Sequence, residues 1–131
     1  MIPADIDNFI VTKIADIIRD GYIYIHKPKY IPKEIGNCTL LTEMHLHFSR
    51  IVDISALSNC TLLNTLDLDG NQIVDISSLS NCTLLRSLNL DNNKIVDMSP
   101  LKNCTLLKYL NLNNNKIVNI STLPNCTLLR I

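Results

Sequence analysis

The sequence predicts an α/β solenoid in which 22-residue repeats stack into a parallel sheet behind an N-terminal helix. Five copies of Asn-Cys-Thr-Leu-Leu begin at residues 37, 59, 81, 103 and 125, so each copy follows the last after 22 residues. Residues 61–82 and 83–104 are identical at 14 of 22 positions. A fixed period without insertions means that each repeat is one structural unit packed against the next.

Each repeat contains a short strand followed by a sharp turn. Leu88 and Leu90 alternate with polar residues, which predicts a strand whose leucines face the core and whose polar side chains face outward. Asn93 falls in the turn, where a buried amide can bond main-chain groups that the turn leaves unpaired. We therefore predict a ladder of Asn71, Asn93 and Asn115, with the shorter Ser49 giving a looser first turn. The returning segments are predicted to line the core with Ile73, Ile76, Ile95, Met98, Ile117 and Ile120.

The third unit, from Cys82 to Leu101, reads C-x2-L-x2-L-x-L-x2-N-x-I-x2-I-x2-L, with Met98 at the second Ile position. This pattern resembles the leucine-rich repeat family. It is most similar to the 22-residue class found in the regulatory subunit of protein phosphatase 1 and in bacterial internalins. The resemblance covers residues 38–131. It implies a right-handed solenoid with a concave parallel sheet, and a partner bound on the concave face.

The N-terminal part of the chain divides into two predicted units. Residues 1–21 form a capping helix that covers the first repeat, because Pro3 lies near the start, Gly21 follows the last turn, and one helical face carries Ile6, Phe9, Ile10, Ile14, Ile17 and Ile18. Residues 22–38 form a degenerate first repeat, in which either Tyr22 and Tyr24 or Ile23 and Ile25 could face inward. Residues 39–131 then hold four 22-residue repeats and a truncated fifth.

The last residues, Leu128 to Ile131, stop inside a predicted strand, where a repeat array usually has a polar capping unit. An uncovered strand edge can pair with another chain. One alternative to a partner-binding function is therefore a structural or self-assembling element that dimerises through the C-terminal edge. The other alternative for this edge is a shortened member of a longer repeat family.

Charge and hydropathy exclude several classes of partner. Lys plus Arg and Asp plus Glu number 12 each, and the balance holds in residues 1–36, with five of each. We therefore expect neither nucleic acid nor an anionic membrane surface as a partner. No apolar run approaches the roughly 18 residues of a membrane span. Acidic residues stand where a secretory signal would be basic, which predicts a cytoplasmic protein without a signal peptide.

The sequence contains no recognisable catalytic constellation. There are three glycines, at Gly21, Gly36 and Gly70, and no phosphate-binding loop or nucleophile motif. We predict a non-enzymatic protein without cofactors. The five repeated cysteines occupy a position where the resembled family usually has Leu, which favours a buried apolar role. A disulfide between adjacent copies and N-glycosylation at Asn-Cys-Thr are alternatives that a cytosolic location disfavours.

The outward strand positions form the candidate functional surface. We predict that a partner protein contacts Glu43, His45, His47, Asp67, Asp69, Asn89, Asp91, Tyr109, Asn111 and Asn113. Tyr109 is the expected anchor because it is the only aromatic on this face in the regular repeats. A flanking column becomes basic along the chain, from Thr42 and Asn64 to Arg86 and Lys108. A metal held by His45, His47, Asp67 and Asp69 is an alternative, but side chains diverge on a sheet face, and we predict no metal.

Overall fold

The fold is a solenoid built on one parallel sheet. The structure is a computed structural model that describes residues 22–24, 31, 33–46, 48–121, 123 and 128–130. In these ranges the strands, in both chain order and sheet order, are β1 Tyr22–Tyr24, β2 Glu43–His45, β3 Thr65–Asp67, β4 Ser87–Asn89, β5 Tyr109–Asn111 and β6 Leu128–Arg130. All neighbouring strands are parallel, which confirms the predicted parallel-sheet solenoid.

Strand register follows the sequence period from β2 to β5. Residues 22 apart pair directly, as Glu43 does with Thr65. In β1, Ile23 pairs with Met44, whose side chain is buried. Ile23 therefore shares the register of a core residue, and Tyr22 shares the register of Glu43.

The last strand departs from the period. Leu128 pairs with Tyr109, a separation of 19 residues instead of 22, and Arg130 pairs with Asn111. The fifth repeat therefore does not continue the register of the first four.

Short 3₁₀ helices return the chain between strands. In the described ranges they are η1 Lys33–Asn37, η2 Ser55–Asn59, η3 Ser77–Asn81 and η4 Ser99–Asn103. η2, η3 and η4 close in the same way, as when the Cys60 N–H bonds the Leu57 carbonyl at 2.9 Å. None of these helices is long and apolar enough to cross a membrane. The predicted capping helix at 1–21 lies outside the described residues.

The core is a continuous stack of apolar side chains between the strands and the 3₁₀ helices. The second repeat contributes Leu63, Leu66, Leu68, Ile73, Ile76 and Leu79, all buried. Ile95 and Met98 are also buried, as predicted. The prediction is wrong for Ile120, which is 53% exposed, because no following returning segment within the described residues packs on it. Ile117 is half-buried against the core.

The predicted asparagine ladder is confirmed, and each amide joins two repeats. Asn93 Oδ1 accepts a hydrogen bond from the Ile73 N–H of the preceding repeat at 3.0 Å. Its Nδ2 donates to the Leu68 carbonyl of that repeat and to the Leu90 and Asp91 carbonyls of its own, at 3.0–3.1 Å. The ladder therefore fastens each turn to its neighbour, which stacking of apolar side chains alone would not do.

The residue before each ladder position has a left-handed backbone. The φ angles are 55° at Phe48, 72° at Gly70, 58° at Asn92 and 56° at Asn114. Asparagine and glycine tolerate this conformation, whereas phenylalanine adopts it at a cost. The first turn has a second left-handed residue, Arg50, with a φ of 59°. The turn at Ser49 is therefore less regular than the others, in agreement with the sequence.

The repeated cysteines form a second ladder. Cys38, Cys60, Cys82 and Cys104 are buried free thiols. Cys104 Sγ donates to the Cys82 carbonyl at 3.5 Å, and Cys82 Sγ to the Cys60 carbonyl at 3.6 Å. Burial raises the pKa of Cys82 to about 12 and that of Cys60 and Cys104 to about 11. The thiols are therefore protonated hydrogen-bond donors in a buried structural role; Cys126 lies outside the described residues.

Candidate functional site

The candidate surface is the outward face of the strands, and register aligns its columns. Glu43, Thr65, Ser87 and Tyr109 lie side by side across β2 to β5, and all four are half-buried. The second column, also aligned, consists of His45, Asp67, Asn89 and Asn111. Strand pairing holds neighbours in each column roughly 5 Å apart. Side chains from several repeats can therefore contact one partner together.

The second column also stabilises the turns. Asp67 Oδ1 accepts the Asp69 N–H at 3.1 Å, and Asn89 Oδ1 accepts the Asp91 N–H at the same distance. Asp and Asn are interchangeable in this contact because only one side-chain oxygen is needed. Replacing Asp67 by Lys would therefore disturb the turn as well as the charge, whereas Asn would change only the charge.

Asn111 departs from the predicted exposed surface. Its side chain is only 6% exposed, opposite Arg130 of β6. Asn111 Oδ1 accepts the Asn113 N–H at 3.0 Å, so the amide serves the turn. The expectation of an exposed contact is wrong for this residue, whereas Asn89 and Asn113 are half-buried.

The third column lies where the strands end and the turns begin. Asp69, Asp91 and Asn113 are half-buried there, and His47 lies outside the described residues. Asp91 Oδ1 accepts a hydrogen bond from Asn114 Nδ2 at 2.9 Å. Among the described residues, no three His, Cys, Asp or Glu side chains come together as a metal site. The alternative of a metal site that includes His47 is not tested, because His47 lies outside the described residues.

Basic residues flank the acidic zone of this face, which consists of Glu43, Asp67, Asp69 and Asp91, on both sides. Arg86 and Lys108 are exposed immediately before β4 and β5. Beyond the turns, Arg50, Lys94 and Lys116 are also exposed and stand at equivalent positions of their repeats. The face therefore carries a central acidic zone between two basic rims, of which sequence reasoning identified only the first.

Phe48 is an aromatic residue of this surface that sequence reasoning missed. Its side chain is 56% exposed at the end of β2. Its ring lies over Gly70, where an added Cβ atom would overlap it. The sequence signal was the only glycine within the four regular repeats, at the position equivalent to Phe48. A missing side chain in one repeat makes room for a large one in its neighbour.

Two family models match the chain. One, described as Leucine Rich repeats (2 copies), covers residues 83–125, and one described as Leucine Rich Repeat covers residues 62–83. These spans contain strands β3 to β5, the 3₁₀ helices η3 and η4 and all three asparagines of the ladder described above. The chain is a leucine-rich repeat protein. No curated protein sequence matches it.

Solved leucine-rich repeat structures are similar to this protein. An internalin (inlF) from Listeria monocytogenes is 39% identical with a TM-score of 0.69 over 71% of this chain and 27% of its own. Internalin C2 from the same species is 32% identical with a TM-score of 0.72, over 78% of this chain and 45% of its own. The chain thus spans less than half of either internalin.

A third similar structure comes from a different kingdom. The ectodomain of the Arabidopsis thaliana receptor kinase SOBIR1 is 26% identical to this chain, with a TM-score of 0.67, over 78% of this chain and 61% of its own. Leucine-rich repeats are in general non-enzymatic modules that mediate protein–protein interaction. The similarity therefore includes a plant receptor-kinase ectodomain as well as bacterial internalins.

Proposed function

We propose that this leucine-rich repeat protein is a non-catalytic interaction module that binds a partner protein on the concave face of its strands. The partner would contact the half-buried outward columns, with Tyr109 as an aromatic anchor and Phe48 at the margin. The proposal rests on where the repeats differ from one another, because the repeats share one fold and differ only in some of their side chains.

The outward positions of the strands differ from repeat to repeat. The first outward column carries four different residues, Glu43, Thr65, Ser87 and Tyr109. The flanking column also carries four, Thr42, Asn64, Arg86 and Lys108. By contrast, the exposed threonine that begins each repeat is the same at positions 39, 61, 83 and 105. The differences in size and charge give the strand face a pattern of its own, which supports a surface adapted to a particular partner.

The charge of the face supports a partner with both signs of charge. Glu43, Asp67, Asp69 and Asp91 supply the acidic zone, and Arg86 and Lys108 form the adjacent rim. Complementary charges at an interface speed association and select the partner. A partner would therefore present basic residues toward β2 to β4 and an acidic residue toward Lys108.

The experiment compares two variants with the same change in net charge. Asp69→Lys with Asp91→Lys reverses two charges on the strand face. Lysine at Thr39, Thr61, Thr83 and Thr105 adds an equal charge on exposed turns away from that face. Each immobilised protein is exposed to lysate from its source, and retained proteins are identified by mass spectrometry, with urea unfolding as a check of folding. We expect the threonine variant to retain the wild-type partner and the aspartate variant to lose it; the reverse result would refute the proposal.

A second candidate function is self-association through β6. Leu128 and Leu129 are 60% and 39% exposed, although Leu129 pairs with the buried Leu110. An exposed apolar strand can pair with another chain. This candidate predicts a size that rises with protein concentration, whereas the partner-binding proposal does not.

A cytoplasmic location is also a proposal. The buried thiols donate hydrogen bonds to main-chain carbonyls, as Cys82 does to Cys60, and this arrangement suits a reducing compartment. Cell fractionation with an antibody against the chain is the direct test.

A further inference from the structure

A column of exposed valines runs along the returning segments, away from the strand face. Val52, Val74 and Val96 are 58%, 51% and 43% exposed, although the isoleucine before each is buried. Backbone bonds fix their spacing, since the Gln72 N–H donates to the Ile51 carbonyl at 2.8 Å. The equivalent bond recurs in the following repeats. The valines therefore form a regular apolar row with a step of roughly 5 Å.

A row of carboxylates follows the valines one residue later. Asp53, Asp75 and Asp97 are exposed, and each accepts a hydrogen bond through Oδ1 from the main-chain N–H two residues on, at 2.8–2.9 Å. These main-chain bonds hold the pKa of each carboxyl below its usual value, so all three are charged at neutral pH. The bonds also fix the side chains in place. A rigid line of negative charge thus lies along the apolar row.

The two rows border a groove between the first and second repeats. Its volume is about 250 Å³, and it is lined by Val52, Val74, Asp53, Asp75 and three serines, Ser55, Ser77 and Ser78. Ser78 Oγ is buried and has no hydrogen-bond partner in the described part of the chain. The equivalent positions are Ala56 and Pro100, which have no side-chain hydroxyl. An unpaired buried hydroxyl in a groove wall marks a point where a bound molecule could supply the missing partner.

We infer that this groove, here called the valine–aspartate groove, is a second interaction surface that accepts an amphipathic helix with lysines or arginines along one side of its apolar stripe. Side chains at successive turns of a helix recur every 5.4 Å, close to the roughly 5 Å step of the repeats. Such a helix can place one apolar residue against each valine. Its flanking cations would then meet Asp53, Asp75 and Asp97 in turn. This surface is independent of the proposed strand-face function.

The sequence favours a functional over a structural role for the valines. Burial does not require an apolar residue at these positions, because about half of each valine is exposed, 43–58%. Yet valine stands at 52, 74, 96 and 118, in every complete repeat. An exposed apolar row is costly in solubility and is usually covered by a partner. The adjacent fixed carboxylates identify the charge of that partner as positive.

The test uses a synthetic 18-residue helix with leucines at one-turn spacing, flanked on one side by lysines. Binding to the full chain is measured by fluorescence anisotropy. We expect the lysine peptide to bind and a glutamate version not to bind. Absence of binding by the lysine peptide would overturn the inference.

Two variants locate the binding site without disturbing the fold. Val52→Thr, Val74→Thr and Val96→Thr together remove apolar surface but keep the side-chain shape. Asp53→Asn, Asp75→Asn and Asp97→Asn remove charge but keep the turn, since Asn119 Oδ1 makes the same contact with the Ser121 N–H at 2.9 Å. Each triple variant should weaken the peptide about tenfold or more, because three contacts are lost at once. Unchanged affinity in both would overturn the inference.

A triple control variant distinguishes binding in this groove from binding on the strand face, and Ser78→Ala probes the groove itself. Asp67→Asn, Asp69→Asn and Asp91→Asn neutralise the strand face and should leave peptide binding unchanged; if they abolish it, the peptide binds the strand face and the inference fails. Ser78→Ala should weaken the peptide a few-fold without destabilising the chain. Sedimentation that shows a valine-dependent dimer would identify a second copy as the occupant and would also overturn the inference.

Discussion

Replacing Asn71 by leucine should lower the free energy of unfolding more than replacing Asn93 by leucine. Asn71 Oδ1 accepts hydrogen bonds from two main-chain groups, the Ser49 and Ile51 N–H, at 3.1 and 2.9 Å. Asn93 Oδ1 accepts one, from the Ile73 N–H at 3.0 Å. Leucine has nearly the same size and no hydrogen-bonding atoms. Asn71→Leu therefore removes the side-chain acceptor of two buried main-chain donors, and Asn93→Leu removes that of one.

The carbonyl groups add little to the cost of Asn93→Leu, because those bonded by Asn93 keep another partner. The Leu68 and Leu90 carbonyls also accept from the amides of Asn71 and Asn115, at 2.9 and 2.8 Å. The Asp91 carbonyl also accepts the Gly70 N–H. A buried donor without a partner costs about 1–3 kcal/mol. Asn93→Leu should thus lower the free energy of unfolding by about 1–3 kcal/mol, and Asn71→Leu by roughly twice that.

Urea unfolding followed by circular dichroism measures both values. Gln72→Leu is the matched control, since Gln72 is exposed beside Asn71 and should change stability by less than about 0.5 kcal/mol. Hydrogen exchange adds a local readout, in which Asn71→Leu should deprotect the Ser49 and Ile51 amides. Equal losses for the two ladder variants, or full protection of both amides, would refute the reasoning.

Three further predictions concern the turns, the thiols and the last strand. Gly70→Asn should destabilise the protein because its side chain would overlap Phe48, and adding Phe48→Ala should restore most of the loss. Urea unfolding tests this, since the double variant should lose less unfolding free energy than the two single variants summed. The pKa of Cys82 is raised from 9.0 to about 12, so its stabilising contribution is complete below pH 9 and is lost as the pH rises toward 12. Cys82→Ala should therefore reduce the decline of unfolding free energy above pH 9 by up to about 1.4 kcal/mol per pH unit, and an unchanged slope in reducing buffer would contradict the assignment. Leu128→Asp should abolish any concentration-dependent self-association seen by sedimentation velocity, and association that survives must use another surface.

The sequence period made most of the fold predictable. Because Leu88, Asn93 and their equivalents recur at fixed intervals, strand register and ladder position follow once one repeat is interpreted. The register of β6 could not be predicted in the same way, because Leu128 pairs with Tyr109 at a separation of 19 residues instead of 22. Ile120 fits the core pattern, but burial depends on a neighbouring segment and not on the residue itself.

The candidate site was predictable in position but not in detail. Alternation placed Glu43 and Tyr109 on the outward face correctly. It could not distinguish Asn111, which is buried while serving a turn, from Asn89, because both occupy the same repeat position. Val74 follows a core isoleucine in a segment without the period of a strand or a helix. Its exposure could therefore be recognised only from the path of the returning segment in the structure.

The asparagine hydrogen bonds imply an order in which the turns are completed. Each ladder amide completes the turn of the repeat before it, as Asn93 does for Ile73 and Asn115 for Ile95. During synthesis the N-terminal repeats emerge first. The last repeat to be synthesised therefore has an incomplete turn, because the asparagine Oδ1 that accepts its isoleucine N–H lies 20 residues further along the chain. The turn of each repeat is therefore completed only when the following repeat has been synthesised and has packed onto it.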